Sequence, residues 1–340
     1  MSKTNIMPSY EMKRQVLGEV LPLDTPFTII IDSSEVCNFK CNYCFRSQER
    51  DENVYGYTIK NNIMSMEVYT KVLEQIKQFK TPLKRIGFSN HGEPLCNRNL
   101  PQMIKMLKEQ RIQGKTEIHT NGSLLDEVYA LELAQCGIDK IVVSVQGVTG
   151  EKYKNVCGVE LDFEKFYHNL KVLFENKTNT QLYIKTVDAA LDGKEEEEYF
   201  LEKFGAISDR VFIEKVIPLF KGVDYEKMHK ADQSSNKYGT DFGDITCCPQ
   251  VFYTLAVAPD GEIYPCAQPI VPFELGNVKD ITLLEAWNSQ KRKTFLRDML
   301  KDGRHCMEKC KDCYVPQNTV KVKEDLLEPY REEILKRMEN

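Results

Sequence analysis

The sequence predicts an α/β fold, a parallel sheet that is open or curled into a barrel, followed by a smaller unit rich in cysteine. Six apolar, β-branched runs are spaced along residues 27–216, and stretches with apolar residues at helical spacing fall between them. Strand and helix in alternation give right-handed βαβ units, which pair their strands in parallel. After a polar stretch without clear period, six further cysteines gather between residues 247 and 313.

In order, the strand-like runs are FTIIID (27–32), RIGFSN (85–90), TEIHT (116–120), KIVVSVQ (140–146), QLYIKTV (181–187) and RVFIEKV (210–216). Helices are read at MEVYTKVLEQIKQF, LPQMIKMLKEQ, LLDEVYALELAQCG, FEKFYHNLKVLFEN and EEEEYFLEKFG. Residues 222–244 are polar and glycine-containing and read as a linker. Beyond it, TLAVAPDGEIYPC predicts a hairpin turning at Pro259-Asp260-Gly261, and LLEAWNSQKRKTFLRDML (283–300) predicts one helix. The amphipathic tail LLEPYREEILKRMEN is expected to pack back on the barrel. The division that results is an N-terminal extension (1–26), a barrel (27–221), the linker (222–244), a cysteine unit (245–320) and a C-terminal helix (321–340). In a barrel, chemistry sits at the C-terminal strand ends.

A chain of 340 residues can bury a full core without disulfides. The net charge of -5 argues against a general nucleic-acid or anionic-membrane partner, since those ligands need concentrated Lys and Arg. A small-molecule substrate is expected instead. No run approaches the roughly twenty apolar residues of a membrane span, and MSKTNIMPSYEMKRQ lacks the apolar core of a signal peptide. The expected location is cytoplasmic. There, twelve cysteines, nine of them in the groups 37/41/44 and 247/248/266/306/310/313, read as metal ligation rather than disulfides. Cys96, Cys136 and Cys157 are scattered and read as ordinary thiols.

Cys37, Cys41 and Cys44 follow the first strand directly, so their loop belongs at the barrel mouth. Three thiolates can ligate three irons of a cubane and leave the fourth open to an exogenous ligand, whereas a closed site needs four. Catalytic zinc also takes three ligands, but structural zinc comes as paired C-x2-C units with a distant second pair. Spacing and position favour the cluster. On the sixth strand, Glu214 and Lys215 point to opposite faces, and one of them is expected to face substrate as a catalytic group. Lys185 stands in an apolar strand, where a buried ammonium needs a partner.

The C-x3-C-x2-C triad, with Tyr43 just before its last cysteine, resembles the defining motif of the radical S-adenosylmethionine (SAM) superfamily. The resemblance implies a partial (β/α)6 TIM-type barrel and a [4Fe-4S] cluster whose open iron is chelated by the methionine amine and carboxylate of SAM. An external one-electron donor such as flavodoxin or ferredoxin would then drive cleavage to a 5'-deoxyadenosyl radical that abstracts hydrogen from substrate. The backbone around Tyr43 would lie near the adenine. Asn90-His91-Gly92-Glu93-Pro94 resembles the family's GGE loop, with His91 where the first glycine often sits. Gly92 would let backbone approach the ligand, and Glu93 would accept from the methionine amine. Thr120-Asn121-Gly122 and Ser144-Val145-Gln146-Gly147 resemble segments beside the ribose and methionine moieties, which makes Asn121, Ser144 and Gln146 candidate SAM contacts. Lys185 resembles the basic residue that in some relatives pairs with the methionine carboxylate.

Cys248-x12-Gly261-x4-Cys266 and Cys310-x2-Cys313 supply four further thiolates, a set that taken alone would also suit zinc. Beside a radical SAM core the spacing resembles the SPASM and Twitch extensions, which carry auxiliary [4Fe-4S] clusters. A full SPASM series is longer, so a Twitch-like domain with one auxiliary cluster on Cys248, Cys266, Cys310 and Cys313 is implied, with Cys247 and Cys306 unassigned. Among single-auxiliary-cluster relatives, the cysteine layout resembles that of the Twitch-type aminocyclitol dehydrogenase. It implies hydrogen abstraction from a small polyol, cyclitol or sugar, with net oxidation through the auxiliary cluster. A ribosomal-peptide maturase forming a thioether, epimer or crosslink is the alternative, but 26 residues before the first strand are too few for a leader-binding module. The superfamily's molybdopterin enzyme ends in Gly-Gly, whereas this chain ends in KRMEN. A structural metal-binding module would leave the GEP, TNG and SVQG segments at successive strand ends unexplained.

Overall fold

The computed structural model describes residues 5–8, 10, 14–47, 60–218, 223–227, 235–268 and 270–339. Positions 222 and 228–234 of the expected linker lie outside these residues, as do parts of the N-terminal extension. All six expected strands form: β2 (Thr28–Ile31), β3 (Arg85–Gly87), β4 (Lys115–Thr120), β5 (Lys140–Ser144), β6 (Gln181–Val187) and β7 (Arg210–Glu214). They are neighbours in sequence order, and every pair is parallel. A short β1 (Asn5–Ile6) adds to the far edge, parallel to the start of β7.

The hairpin β8 (Thr254–Val257) and β9 (Glu262–Tyr264) turns at Pro259-Asp260-Gly261, where Gly261 has φ 95. It joins the same sheet, because β8 runs parallel to β2 from Thr28↔Thr254 to Ile31↔Val257. With β10 (Gly276–Asn277) the described strands run in the order β1-β7-β6-β5-β4-β3-β2-β8-β9-β10. Among the described residues the edges β1 and β10 do not pair, so the barrel is partial.

Alternation along the strands separates a helix-covered face from an inner face. Ile29, Ile31, Ile86, Ile118, Ile141, Val143, Leu182, Ile184 and Val211 are buried in one core beneath the helices. Those helices are α1 (Met66–Ile76), α2 (Leu100–Glu109), α3 (Glu127–Gln135), α4 (Gly150–Cys157), α5 (Phe163–Asn176) and α6 (Lys194–Gly205). Ser65, Asp126, Thr149 and Asp162 cap α1, α3, α4 and α5 by accepting from first-turn amides. The eight-residue α4 is an addition to the expected set, and it ends on left-handed Gly158 at φ 69.

Two expectations for the C-terminal part need correction. The single helix over 283–300 is two, α7 (Leu283–Asn288) and α8 (Gln290–Asp302). Ser289 between them is extended at ψ 144, and its side chain accepts from Arg292 N, so a new N-cap breaks the helix. The tail helix α9 (Arg331–Glu339) does not join the barrel core. Its buried Ile334 packs in a second cluster with Leu17, Leu21, Cys247, Cys248, Phe252, Phe295, Met299 and Leu300. No described helix is long and apolar enough to cross a membrane.

Candidate functional site

The loop after β2 carries Cys37, Cys41 and Cys44, all half-buried, and loops from four other strand ends hold it. The C-terminal carbonyls of α4 accept from it, Val156 O from Asn42 N at 2.9 Å and Cys157 O from Lys40 N at 3.1 Å. Phe39 packs edge-on against Tyr153 of α4 at 5.9 Å. After β4, Asn121 donates from Nδ2 to Asn38 Oδ1 at 3.0 Å, and Asn38 donates to Ser123 Oγ at 2.8 Å. After β3, Glu93 N donates to Val36 O at 2.8 Å. Beyond β7, the Tyr225 hydroxyl donates to Tyr43 O at 3.2 Å. Burial pushes the Cys37 thiol up to about 12 and the Cys44 thiol to about 11. A metal must therefore displace protons on binding.

His91 and Glu93 do different work in the second loop. His91 Nδ1 lies 2.8 Å from Asp32 Oδ2, and both side chains are buried. The departure from a glycine at this point thus comes with a carboxylate partner at the end of β2. Gly92 packs against the backbone of Ser34, Glu35 and Val36, which a Cβ would penetrate. Glu93 is buried and accepts from Thr120 Oγ1 (2.5 Å), Asn121 N (2.7 Å) and Leu95 N (3.0 Å). Its carboxylate ties the loops after β3 and β4 together. Burial outweighs those donors and raises its pKa from 4.5 to about 7.

A prediction follows for Glu93→Gln. One amide face must point at a donor, so unfolding free energy is expected to fall by about 1–3 kcal/mol, read by chemical denaturation. In the parent the carboxyl's pKa is raised on folding. Its contribution is therefore full below 4.5 and lost as pH rises through about 7, and the glutamine variant lacks that slope.

At the ends of β5 to β7 the inner face is polar. Gln146 donates to Ser144 O at 2.9 Å, and its buried Oε1 has no donor among the described residues. Lys185 Nζ lies 2.6 Å and Lys237 Nζ 3.1 Å from the buried Glu214 carboxylate. Burial alone would raise Glu214, but the two ammonium groups outweigh it and hold it at about 2. Lys185, expected to face the methionine carboxylate, already has an internal one. Of the two candidate catalytic residues, Glu214 faces inward, while Lys215 turns to Ser235 Oγ at 3.3 Å. His119 was not singled out by the sequence, although alternation in TEIHTN puts it on the same face as Glu117 and Asn121. Its ring lies 3.4 Å from Glu117, and burial lowers it to about 4.

Two cysteines read as ordinary thiols also border the triad. Cys157 Sγ is 3.6 Å from Cys41 Sγ at the end of α4, and Cys96 neighbours Cys37 and the Asn38 backbone. Cys136 is buried, with its thiol on Leu133 O, away from the others.

In the C-terminal part, Cys248, Cys266, Cys310 and Cys313 line one cavity together with Arg304 and Val251. Cys248 precedes the short helix Gln250–Tyr253, Cys266 follows β9, and Cys310 sits on the helix Glu308–Lys311. Burial raises all four thiols, Cys248 to about 12. The adjacent Cys247 is buried in the second core, where its amide donates to Glu328 Oε1 at 3.0 Å. Cys306 packs against that same core. Among the described residues, no three His, Cys, Asp or Glu side chains are placed to hold a single metal ion.

The family model of the radical SAM superfamily matches residues 31–202, and that of the SPASM iron-sulfur cluster-binding domain matches residues 247–314. The chain is 30% identical over 172 residues to the probable GTP 3',8-cyclase of Methanococcus vannielii, which covers 50% of this chain and 53% of that protein. It thus spans about half the length of this relative. The crystal structure of BtrN in complex with AdoMet and 2-DOIA is similar, with TM-score 0.54 and 20% identity, covering 88% of this chain and 96% of that one. Streptococcus suis SuiB bound to precursor peptide SuiA gives TM-score 0.57 at 17% identity, over 81% of this chain and 67% of that one. Both likenesses speak to the fold alone.

Proposed function

The chain belongs to the radical SAM superfamily, and from that membership we propose that it abstracts hydrogen from a small polyol, cyclitol or sugar, with net oxidation. The two family matches imply SAM and two [4Fe-4S] clusters. In this reading Cys37, Cys41 and Cys44 hold the SAM-binding cluster, and Cys248, Cys266, Cys310 and Cys313 hold the auxiliary one. When bound, these groups supply hydrogen-atom abstraction at the first site and an electron acceptor at the second.

The observation that supports the oxidation is the second cavity, lined by four thiols that as cluster ligands would leave no position to a substrate. Such a site suits electron transfer. The polar inner face supports a small hydroxylated substrate. Ionised Glu214 and the ammonium of Lys185 offer an acceptor and a donor side by side, and neutral His119 stands on the same wall. Gln146 Oε1, which has no donor among the described residues, suits a ligand rich in hydroxyl donors, as the ribose of SAM is. Asn121 holds the one loop that carries the first three thiols, Glu93 fixes Asn121 in turn, and the Tyr43 backbone lines the same mouth.

The test is anaerobic reconstitution, expected to give about eight irons per chain. Dithionite and SAM are then supplied with perdeuterated inositol, an aminocyclitol or glucose. Deuterium should appear in 5'-deoxyadenosine, with a product lighter by two hydrogens or deuteriums. Modification of a short peptide encoded nearby, with no label from any polyol, would replace this reading with the peptide one. Zinc in the purified protein without SAM cleavage would remove both.

A further inference from the structure

We infer that Arg304 is a positioning residue of the auxiliary site, its Nε–H donating to the sulfur shell of the cluster and holding the cluster's reduction potential up. This rests on the reading that Cys248, Cys266, Cys310 and Cys313 are its ligands.

Arg304 is pinned to both halves of that site. Its backbone N–H donates to Thr246 O at 2.8 Å, two residues before Cys248. Its Nη1 donates to Cys313 O at 2.8 Å and to Lys311 O at 3.3 Å. Its Nη2 faces Asp244 at 3.7 Å, a carboxylate that is 81% exposed and so largely screened by solvent. The guanidinium is therefore fixed, and its charge is not cancelled by a buried partner. Arg304 lines the cavity that the four thiols share. Its Nε is buried and has no acceptor among the described residues.

A guanidinium N–H seldom stays buried without an acceptor, and the sulfurs that would fill this cavity are anionic acceptors. Reduction adds one electron to an already anionic cluster. A fixed cation and a donated hydrogen bond stabilise the reduced form more than the oxidised one, which raises the potential. An acceptor of substrate electrons needs that bias.

The experiment is an anaerobic redox titration of the reconstituted enzyme followed by electron paramagnetic resonance, on the parent, Arg304→Met and Arg304→Lys. At the potential where the parent auxiliary cluster is half reduced, the reduced-to-oxidised ratio in Arg304→Met is expected to fall about tenfold, or about 59 mV for one electron. Arg304→Lys keeps the cation but loses the Nε fork and should fall less. The first cluster's potential is the internal control and should not move. If Arg304→Met fails to retain iron, the lysine variant carries the test. An unchanged auxiliary potential in an iron-replete variant overturns the inference. A parent enzyme with only about four irons and one cluster signal would instead overturn the ligand reading beneath it.

Discussion

Cys37→Ala is expected to abolish SAM cleavage, whereas Cys310→Ala keeps cleavage within the same order of magnitude and loses substrate turnover. The first site has three thiols on one loop, so removing one leaves two, too few to hold a cubane against loss. Even outer-shell changes cost about 10–100-fold in metal affinity, so losing a direct ligand should cost more than about 100-fold. Cys310 lines the other cavity, which lies in the C-terminal part and shares no residue with the first loop. Each variant should fall from about eight irons to about four, and the retained signal should differ between them. Because Cys96 neighbours Cys37, Cys37→Ala/Cys96→Ser tests whether a second thiol substitutes. Equal loss of cleavage in Cys37→Ala and Cys310→Ala would contradict separate roles for the two sites.

What the sequence revealed was local periodicity, and what it hid was partnership across distance. The runs FTIIID and KIVVSVQ declare their strands because buried parallel strands are apolar on both faces. Placing β8 beside β2 required knowing that Thr254 meets Thr28, which no local pattern states. His91 looked like a departure from a glycine motif, but its reason lies 59 positions earlier in Asp32. Lys185 showed that it needed a partner without showing that Glu214 is that partner. Helix α4 was missed because GEKYKNVC is short and mostly polar, yet its last carbonyls anchor the cysteine loop. Cys157, read as an ordinary thiol, ends that helix 3.6 Å from Cys41 Sγ, a partnership across 116 positions.

Gly92→Ala should destabilise the protein before any ligand is bound. The alanine Cβ would lie 2.6 Å from the Glu35 carbonyl carbon and 2.6 Å from Val36 O, and closer still to Ser34 O, all of them backbone. That backbone cannot easily retreat. Ser33 O accepts from Met64 N and Asn97 Nδ2, each at 3.0 Å, and Ser33 Oγ donates to Phe88 O at 2.8 Å. The loop 90–94 must move instead, taking Glu93 away from Thr120 and Asn121. Overpacking of this kind costs about 1–3 kcal/mol, and weakening the bonds of a buried carboxyl adds to it, so a loss near about 3 kcal/mol is expected. Gly158→Ala is the control, since a Cβ there meets nothing within 4 Å and only its left-handed backbone, φ 69 and ψ 24, is penalised, by about 1–2 kcal/mol. Chemical denaturation of the metal-free chains measures both. If Gly92 served only to admit SAM, its alanine variant would keep the parent's stability without metal and lose only SAM binding, which would refute the loop-packing role.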